Sequence, residues 1–214
     1  MQGICLTKPN LLIPNLLIQA CNWEESVKQK ERKMSDLQKL IDRNSQFAAQ
    51  YEGGLTIIPR FSIMVLTCID ARTDPAHLLG LELGDVAVFR NAGARVSREL
   101  ERDLGILWVM ISKMTGDQFK GLELAIIQHN DCGFERLANP ELQQALSDNL
   151  GIDKVEIEAL ANVDHTKTIR EDIERLRRSS LVPNELVVSG HIYNVEDGVV
   201  GEVVAPAPLL RNGR

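Results

Sequence analysis

Features that would place the chain in several common classes of protein are missing. It has four cysteines in 214 residues, too few to suggest the disulfide framework of a small secreted domain. Its net charge of −6 argues against a broad nucleic-acid-binding surface. The apolar stretch at residues 11–18 is short and is broken by Pro14 and Asn15, so no membrane-spanning helix is predicted. We therefore expect a cytoplasmic protein that binds neither nucleic acid nor membrane, and a role of residues 1–33 in organelle targeting stays open.

The remaining composition is that of an ordinary globular protein. The apolar fraction is 44% and the charged fraction is 25%, and the length suits one sizeable core better than two full domains. The sequence has no internal repeats and no low-complexity tracts. Residues 1–33 look unlike the rest and are interpreted as an N-terminal extension: an arm, a leader or a disordered segment. Residues 34–214 are predicted to form a single domain.

A helix is predicted near the start of this domain, over residues 35–51. Ser35 can cap its first turn, and Gln38 completes the pattern of a capping box. Apolar residues then recur along one face, at Leu37, Leu40, Ile41, Phe47 and Ala48. The pattern is typical of an amphipathic helix.

Beyond this helix, strand-like and helix-like segments alternate. Strands are predicted over residues 63–67, 86–89, 122–128 and 185–189, followed by a hairpin of residues 192–195 and 199–204. Helices are predicted over residues 74–81, 97–114, 140–149 and 166–178. Such alternation implies an α/β fold with a mainly parallel sheet flanked by helices.

Three potential metal ligands directly follow two of the predicted strands. Cys68 comes after the strand at 63–67, and His129 and Cys132 come after the strand at 122–128. Open α/β sheets place their ligands at the carboxyl ends of their strands. Two thiolates and one imidazole suit Zn²⁺, and three protein ligands with a fourth position left for water are typical of a catalytic site. The sequence therefore predicts a zinc site formed by these three residues.

Asp70 and Arg72 lie beside the first of these ligands and allow two interpretations. In the first they form a structural ion pair, in which Arg72 keeps Asp70 ionised and oriented. In the second, Asp70 lies beside a metal-bound water, as a hydrogen-bond acceptor that can also receive its proton or, in some conformations, take the fourth metal position. Two thiolates already cancel the charge of Zn²⁺, so an accessory base would help.

The order of short motifs along the chain resembles the β-class carbonic anhydrases. The motifs are Cys-x-Asp-x-Arg at 68–72, Arg-Asn-Ala-Gly at 90–93, His-x-x-Cys-Gly at 129–133 and Gly-His-Ile-Tyr-Asn-Val at 190–195. The resemblance covers residues 35–204 and is closer to the small archaeal and mycobacterial subgroup than to the plant type. It implies the α/β fold of that family, with residues 35–51 as an N-terminal helical arm that embraces a second subunit in a homodimer or homotetramer.

The same resemblance implies a function and roles for particular residues. One Zn²⁺ per subunit would be bound by Cys68, His129 and Cys132. Asp70 and Arg72 would form a catalytic dyad, and the backbone amide of Gly133 would bind substrate, because glycine allows close approach. The implied reaction is attack of a zinc-bound hydroxide on CO₂, which gives bicarbonate.

Two alternative functions stay open at this point. The family fold also includes hydrolases of carbonyl sulfide and carbon disulfide, which use the same zinc site. A different class of function is a non-catalytic zinc or redox module, in which Cys68 and Cys132 would form a redox pair.

Several details are not settled by the motifs. Proton export could use His77, His165 or His191, and the sequence does not choose among them. The connection at residues 115–121 is longer than the resemblance implies, and we expect it to alter an edge or an oligomer contact. Arg95 is expected to point to solvent or to an interface.

Overall fold

The structure, a computed structural model, describes residues 35–210. The chain divides into two compact units between Gly54 and Leu55, and the single domain over residues 34–214 stays a prediction. Within the described residues, no helix has both the length and the apolar character needed to cross a membrane.

The first unit contains helix α1 (Asp36–Ala48), as the pattern over residues 35–51 predicted. Ser35 caps it, because its Oγ accepts the backbone N–H of Gln38 at 3.1 Å. The apolar stripe of α1 is exposed to solvent: Leu37, Leu40, Ile41 and Phe47 are between 48% and 66% accessible. Helix α1 therefore carries an apolar face whose side chains are accessible.

The second unit is built on a five-stranded sheet in the order β2-β1-β3-β4-β5. The strands are β1 (Ile63–Cys68), β2 (Ala87–Asn91), β3 (Glu123–His129), β4 (Val187–Tyr193) and β5 (Val200–Pro208). Strands β1 to β4 pair in parallel, and β5 pairs antiparallel to β4. The predicted α/β fold with a mainly parallel sheet is confirmed.

One strand prediction is wrong in its boundaries. Residues 185–189 and 192–195 were predicted as separate strands, whereas β4 runs without a break from Val187 to Tyr193 and itself forms the antiparallel pair with β5. Gly190 lies in the middle of β4, where it permits close packing: a Cβ there would lie 2.2 Å from Cγ2 of Ile169. The glycine marks a tight helix–sheet contact and not a turn.

Five helices follow in the described part of the second unit, residues 55–210. They are α2 (Pro75–Leu78), α3 (Arg98–Thr115), α4 (Pro140–Leu150), α5 (Lys154–Ala159) and α6 (His165–Arg178). The predicted helix over 74–81 is shorter than expected, because the chain turns at Gly80 with a φ of 63°. Helix α5 was not predicted, since six residues are too few to show a helical period.

The main core lies between the sheet and helices α3 and α6. Leu104 of α3 and Ile169 of α6 belong to one buried cluster with Leu66, Leu124 and Ile126 of the central strands. A smaller cluster of Val65, Ala125 and Ile127 uses the alternate positions of the same strands and so occupies the other face of the sheet. Strands β1 and β3, which end at the predicted ligands, are thus buried on both faces.

The connection at residues 115–121 is anchored to this core. It forms a short 3₁₀ turn (Gly116–Gln118), and Phe119 then packs edge-on against Trp108 with the ring centroids 4.9 Å apart. Its predicted effect on an edge or an oligomer contact stays a prediction.

Candidate metal centre

Cys68, His129 and Cys132 meet at the carboxyl ends of two neighbouring strands. Cys68 is the last residue of β1 and His129 the last residue of β3, and the two strands pair in parallel up to Thr67 and Ile127. All three side chains are buried, and one ligand atom from each lies within 4.8 Å of the others. The three residues separated in the sequence are therefore brought together as a cluster that can hold a metal ion.

The donor atoms of this cluster fit Zn²⁺. His129 Nδ1 lies 2.9 Å from the backbone oxygen of Asn130 and donates its proton there. The other ring nitrogen, Nε2, is buried without a hydrogen-bond partner in the described part of the chain. A buried lone pair of this kind is costly unless a metal takes it. Together with two thiols it provides the N and S ligands typical of zinc.

The two thiols influence each other strongly. A hydrogen bond from Cys132 lowers the pKa of Cys68, with further help from His129 and from the backbone amide of Gly93, which donates to Cys68 Sγ at 3.4 Å. The same contact, together with burial, raises the pKa of Cys132. A metal ion binds cysteine as the thiolate, so binding at this cluster would displace the thiol protons.

The predicted ion pair between Asp70 and Arg72 is present and bidentate. Arg72 Nε donates to Asp70 Oδ1 at 3.0 Å, and Nη2 donates to Oδ2 at 2.8 Å. The backbone N–H of Arg72 also donates to Oδ1, at 2.9 Å. The Arg72 guanidinium and this amide hold the pKa of Asp70 well below its usual range. Asp70 is therefore a carboxylate throughout the neutral pH range.

Asp131 is a second partner of Arg72 that sequence reasoning missed. Arg72 Nη1 donates to Asp131 Oδ2 at 2.7 Å, and Nη2 donates to the backbone oxygen of Asp131 at 2.9 Å. Asp131 lies between the potential ligands His129 and Cys132 and has a φ of 52°, a left-handed conformation that aspartate tolerates better than most residues. Arg72 thus ties the turn after β1 to the ligand loop after β3. An acidic residue between two ligands was the available signal.

Arg90 fixes the turn after β1 from its other side. Its Nε donates to the backbone oxygen of Cys68 at 3.0 Å, and its Nη2 donates to that of Asp70 at 2.8 Å. The sequence marked Arg90 as part of a motif but gave it no role. A side chain from β2 thus holds the backbone between Cys68 and Asp70 in place.

Gly133 follows Cys132, the last of the potential ligands, and begins a 3₁₀ turn (Gly133–Ala138). A Cβ placed on it would meet no atom within 4 Å. The space beside its α-carbon is therefore open, as a site of close approach requires.

The three histidines suggested for proton export lie in different settings. His77 is exposed on α2 beside Asp74. His191 contacts Ser189 on β4, and burial lowers its pKa. Only His165, of these three, is connected by hydrogen bonds to a predicted ligand: its Nε2 lies 3.0 Å from Glu135 Oε1, which accepts the backbone N–H of Cys132.

The expectation for Arg95 is wrong. Its side chain is 18% accessible and forms a bidentate ion pair with Asp172, which is 3% accessible. The two distances are 2.9 Å from Nε to Oδ2 and 3.2 Å from Nη2 to Oδ1. Ala94 before it has a φ of 53°, a conformation that turns the chain sharply. Asp172 lies on the buried face of α6, and an acid on such a face requires a partner.

Comparisons with known proteins agree with this geometry. The family profile described as carbonic anhydrase matches residues 63–200. The β-carbonic anhydrase 1 of Mycobacterium tuberculosis is 26% identical over 163 residues, which are 76% of this chain and 94% of that protein. The carbon disulfide hydrolase of Saccharolobus solfataricus is 26% identical over 157 residues, which are 63% of this chain and 73% of that protein.

A solved structure gives the same result. The carbonic anhydrase of Streptococcus mutans matches with a TM-score of 0.66 and 33% identity, over 79% of this chain and 98% of its own. The fold and the cluster thus define an α/β protein with a potential metal site at the ends of parallel strands. The chain belongs to the β-carbonic anhydrase family. The resemblance drawn from the motifs is confirmed.

Proposed function

We propose that the protein catalyses the reversible hydration of CO₂ to bicarbonate, with one Zn²⁺ per subunit bound by Cys68, His129 and Cys132. The observation that carries this proposal is the buried cluster of three ligand atoms within 4.8 Å, beside an ion-paired carboxylate, in a member of the β-carbonic anhydrase family. When bound, the metal would supply a Lewis acid that makes a water molecule acidic enough to react near neutral pH.

Asp70 would orient the reacting water. A carboxylate offers about four positions for hydrogen-bond donors, and Arg72 occupies three of them, two at Oδ1 and one at Oδ2. One position at Oδ2 is left for a donor from the substrate side. Because the pKa of Asp70 is held well below its usual range, the group accepts a hydrogen bond but keeps no proton at neutral pH. This favours an orienting role over the role of a proton store.

Gly133 would contribute its backbone amide to substrate binding. The open space beside its α-carbon allows a small triatomic substrate to approach the backbone closely. A side chain at this position would fill that space. Gly133→Val should therefore raise the KM for CO₂ strongly, while it lowers the zinc content of the protein only slightly.

Hydrolysis of carbon disulfide or carbonyl sulfide is the second candidate function. It is favoured by relatives described as carbon disulfide hydrolases, among them that of Saccharolobus solfataricus at 26% identity. Such substrates are apolar triatomic analogues of CO₂ and would use the same three ligands and the same carboxylate. The choice between them depends on the width and lining of the path to the site.

One experiment tests both functions. CO₂ hydration by stopped flow and hydrolysis of both sulfur substrates are measured on one preparation of known zinc content. Fast CO₂ hydration that disappears on chelation and returns with Zn²⁺ supports the first function, and dominant sulfide release supports the second. Asp70→Asn is the matched variant, because it keeps the size of the side chain while removing the charge and one of the two acceptor oxygens. A zinc-loaded protein inactive on all three substrates would favour a non-catalytic zinc or redox module.

A homodimer or homotetramer is the assembly we expect, with α1 as the contact. Its support is the exposed apolar stripe of α1, formed by Leu37, Leu40, Ile41 and Phe47, since an uncovered face of this kind marks an interaction surface. A monomeric mass by light scattering at micromolar concentration would rule this out.

A further inference from the structure

We propose that Glu135 is a positioning residue for the ligand Cys132, and that His165 holds Glu135 in place. The inference rests on the proposed zinc site and adds two residues to it. Neither Glu135 nor His165 belongs to the cluster of potential ligands. Both would therefore act through the loop that carries Cys132.

A single carboxylate oxygen joins the two residues to the ligand. Glu135 Oε1 accepts the backbone N–H of Cys132 at 2.9 Å and also lies 3.0 Å from His165 Nε2. The Glu135 side chain is 33% accessible, whereas that of His165 is 11% accessible. A glutamate so close to solvent would sample several rotamers. The hydrogen bond from the more buried ring selects the rotamer that reaches Cys132.

His165 is itself anchored in a buried polar cluster. Its Nδ1 lies 3.2 Å from Gln128 Oε1, which also accepts from Asn162 Nδ2 at 3.1 Å. The Thr168 hydroxyl, which has one hydrogen, lies 2.6 Å from Asn162 Oδ1 and 2.8 Å from Gln128 Oε1. The amide orientations follow from a backbone group: Asn162 Nδ2 faces the carbonyl oxygen of Gly93 at 3.3 Å, so Gln128 must present its oxygen to Asn162. His165 Nδ1 therefore donates to Gln128.

The hydrogen-bond inventory also explains why a histidine suits this position. Both ring nitrogens of His165 face acceptor oxygens, one from Gln128 and one from Glu135. One planar ring thus bridges the buried amide of Gln128 and the carboxylate of Glu135. The geometry of the ring holds Glu135 at the position from which it accepts the Cys132 amide.

The same buried cluster reaches the other two ligands. Gly93, whose oxygen accepts from Asn162, donates its N–H to Cys68 Sγ at 3.4 Å. Gln128 directly precedes His129 on β3. Side chains at the start of α6 and in the segment before it are thus linked, through neighbouring residues, to all three ligands. Glu135 and His165 are the part of this hydrogen-bond network that reaches Cys132.

The experiment measures the affinity of the full-length protein for Zn²⁺ by competition with a chelator. The variants are Glu135→Ala, His165→Ala, His165→Gln and the double alanine variant. Glu141→Ala is the matched control, because this glutamate is exposed in the first turn of α4. Residues that orient a metal ligand typically change metal affinity about 10- to 100-fold. We expect Glu135→Ala to raise the dissociation constant by about tenfold or more, and the control to leave it unchanged.

Coupling and rescue separate positioning from general damage to the fold. The double variant should bind Zn²⁺ no more weakly than Glu135→Ala, since His165 acts through Glu135. His165→Gln should restore most of the affinity, because its amide nitrogen can replace Nε2 as the donor. In protein loaded with Co²⁺, the thiolate-to-metal absorption band should shift in Glu135→Ala and not in the control.

Two results would overturn the inference. One is an unchanged Zn²⁺ affinity and an unchanged Co²⁺ spectrum in Glu135→Ala. The other is additive losses in the double variant, which would mean that His165 acts independently. Failure of the proposed function would differ from both, because the wild-type protein would then fail to bind Zn²⁺ or to turn over any of the three substrates.

Discussion

Replacing Arg95 by leucine tests the ion pair that links the turn after β2 to helix α6. Asp172 is 3% accessible and Arg95 is 18% accessible, and Asp172 Oδ2 also accepts the backbone N–H of Val96 at 3.2 Å. Removal of one partner from a buried pair leaves an uncompensated charge and costs about 3–5 kcal/mol. We therefore expect Arg95→Leu to lower the free energy of unfolding by about 3 kcal/mol at pH 7, as measured by urea titration at one protein concentration.

The pH dependence of this loss has a definite sign. Burial raises the pKa of Asp172, and the opposing effect of Arg95 only partly restores it. Without Arg95 the pKa should rise further. An acid whose pKa is raised in the folded state stabilises the fold below its unfolded pKa, and that stability is lost as pH increases through the folded pKa. The deficit of Arg95→Leu should therefore shrink as pH falls from 7 towards 5.

A double-mutant cycle with Asp172→Asn supplies the control. Asparagine keeps a similar shape but carries no charge, so Arg95→Leu should cost much less in that background. Equal costs in both backgrounds, or a deficit that does not change between pH 5 and pH 7, would refute the argument that the buried charge is the cause.

Three further changes test separate parts of the structure. Gly190→Ala should lower the free energy of unfolding by about 1–3 kcal/mol, because its Cβ would lie 2.2 Å from Ile169; a neutral effect in urea titration would contradict this packing. Asp131→Asn should reduce CO₂ hydration with zinc content unchanged, since it weakens the hold on Arg72; equal kcat/KM would argue against this role. Leu40→Glu should shift the mass measured by light scattering towards the monomer, and an unchanged mass would show that α1 is not the contact.

The sequence predicted the sheet well because its buried strands are short apolar runs with clear ends. Strand β1 and strand β3 were predicted to within about a residue, and polar or glycine residues mark where each stops. The error at Gly190 has a physical cause. A glycine that lets Ile169 approach the sheet looks, in sequence, the same as a glycine that turns the chain.

The cluster of potential ligands was predictable because each member belongs to a local motif next to a strand end. Its supporting contacts were not, since they join residues far apart in the chain. Arg72 meets Asp131, and His165 meets Glu135, through side chains whose partners depend on the final packing of loops. Local periodicity carries no information about such pairs. The buried Asp172 could have been noticed as an acid on the apolar face of α6, but its partner could not have been named.

Guanidinium groups hold the loops that carry the potential ligands, and the geometry explains why arginine suits this task. Arg72 donates to Asp70 through two nitrogens while Nη1 and Nη2 also reach Asp131. Arg90 spans two backbone carbonyls of the neighbouring turn. A planar fork of five donors can bridge two loops in fixed directions, which a lysine ammonium on a flexible stem cannot do. Substitution of either arginine by lysine would keep the charge and lose the bridge, so the positions of Cys68 and Cys132 depend on donor geometry as well as on charge.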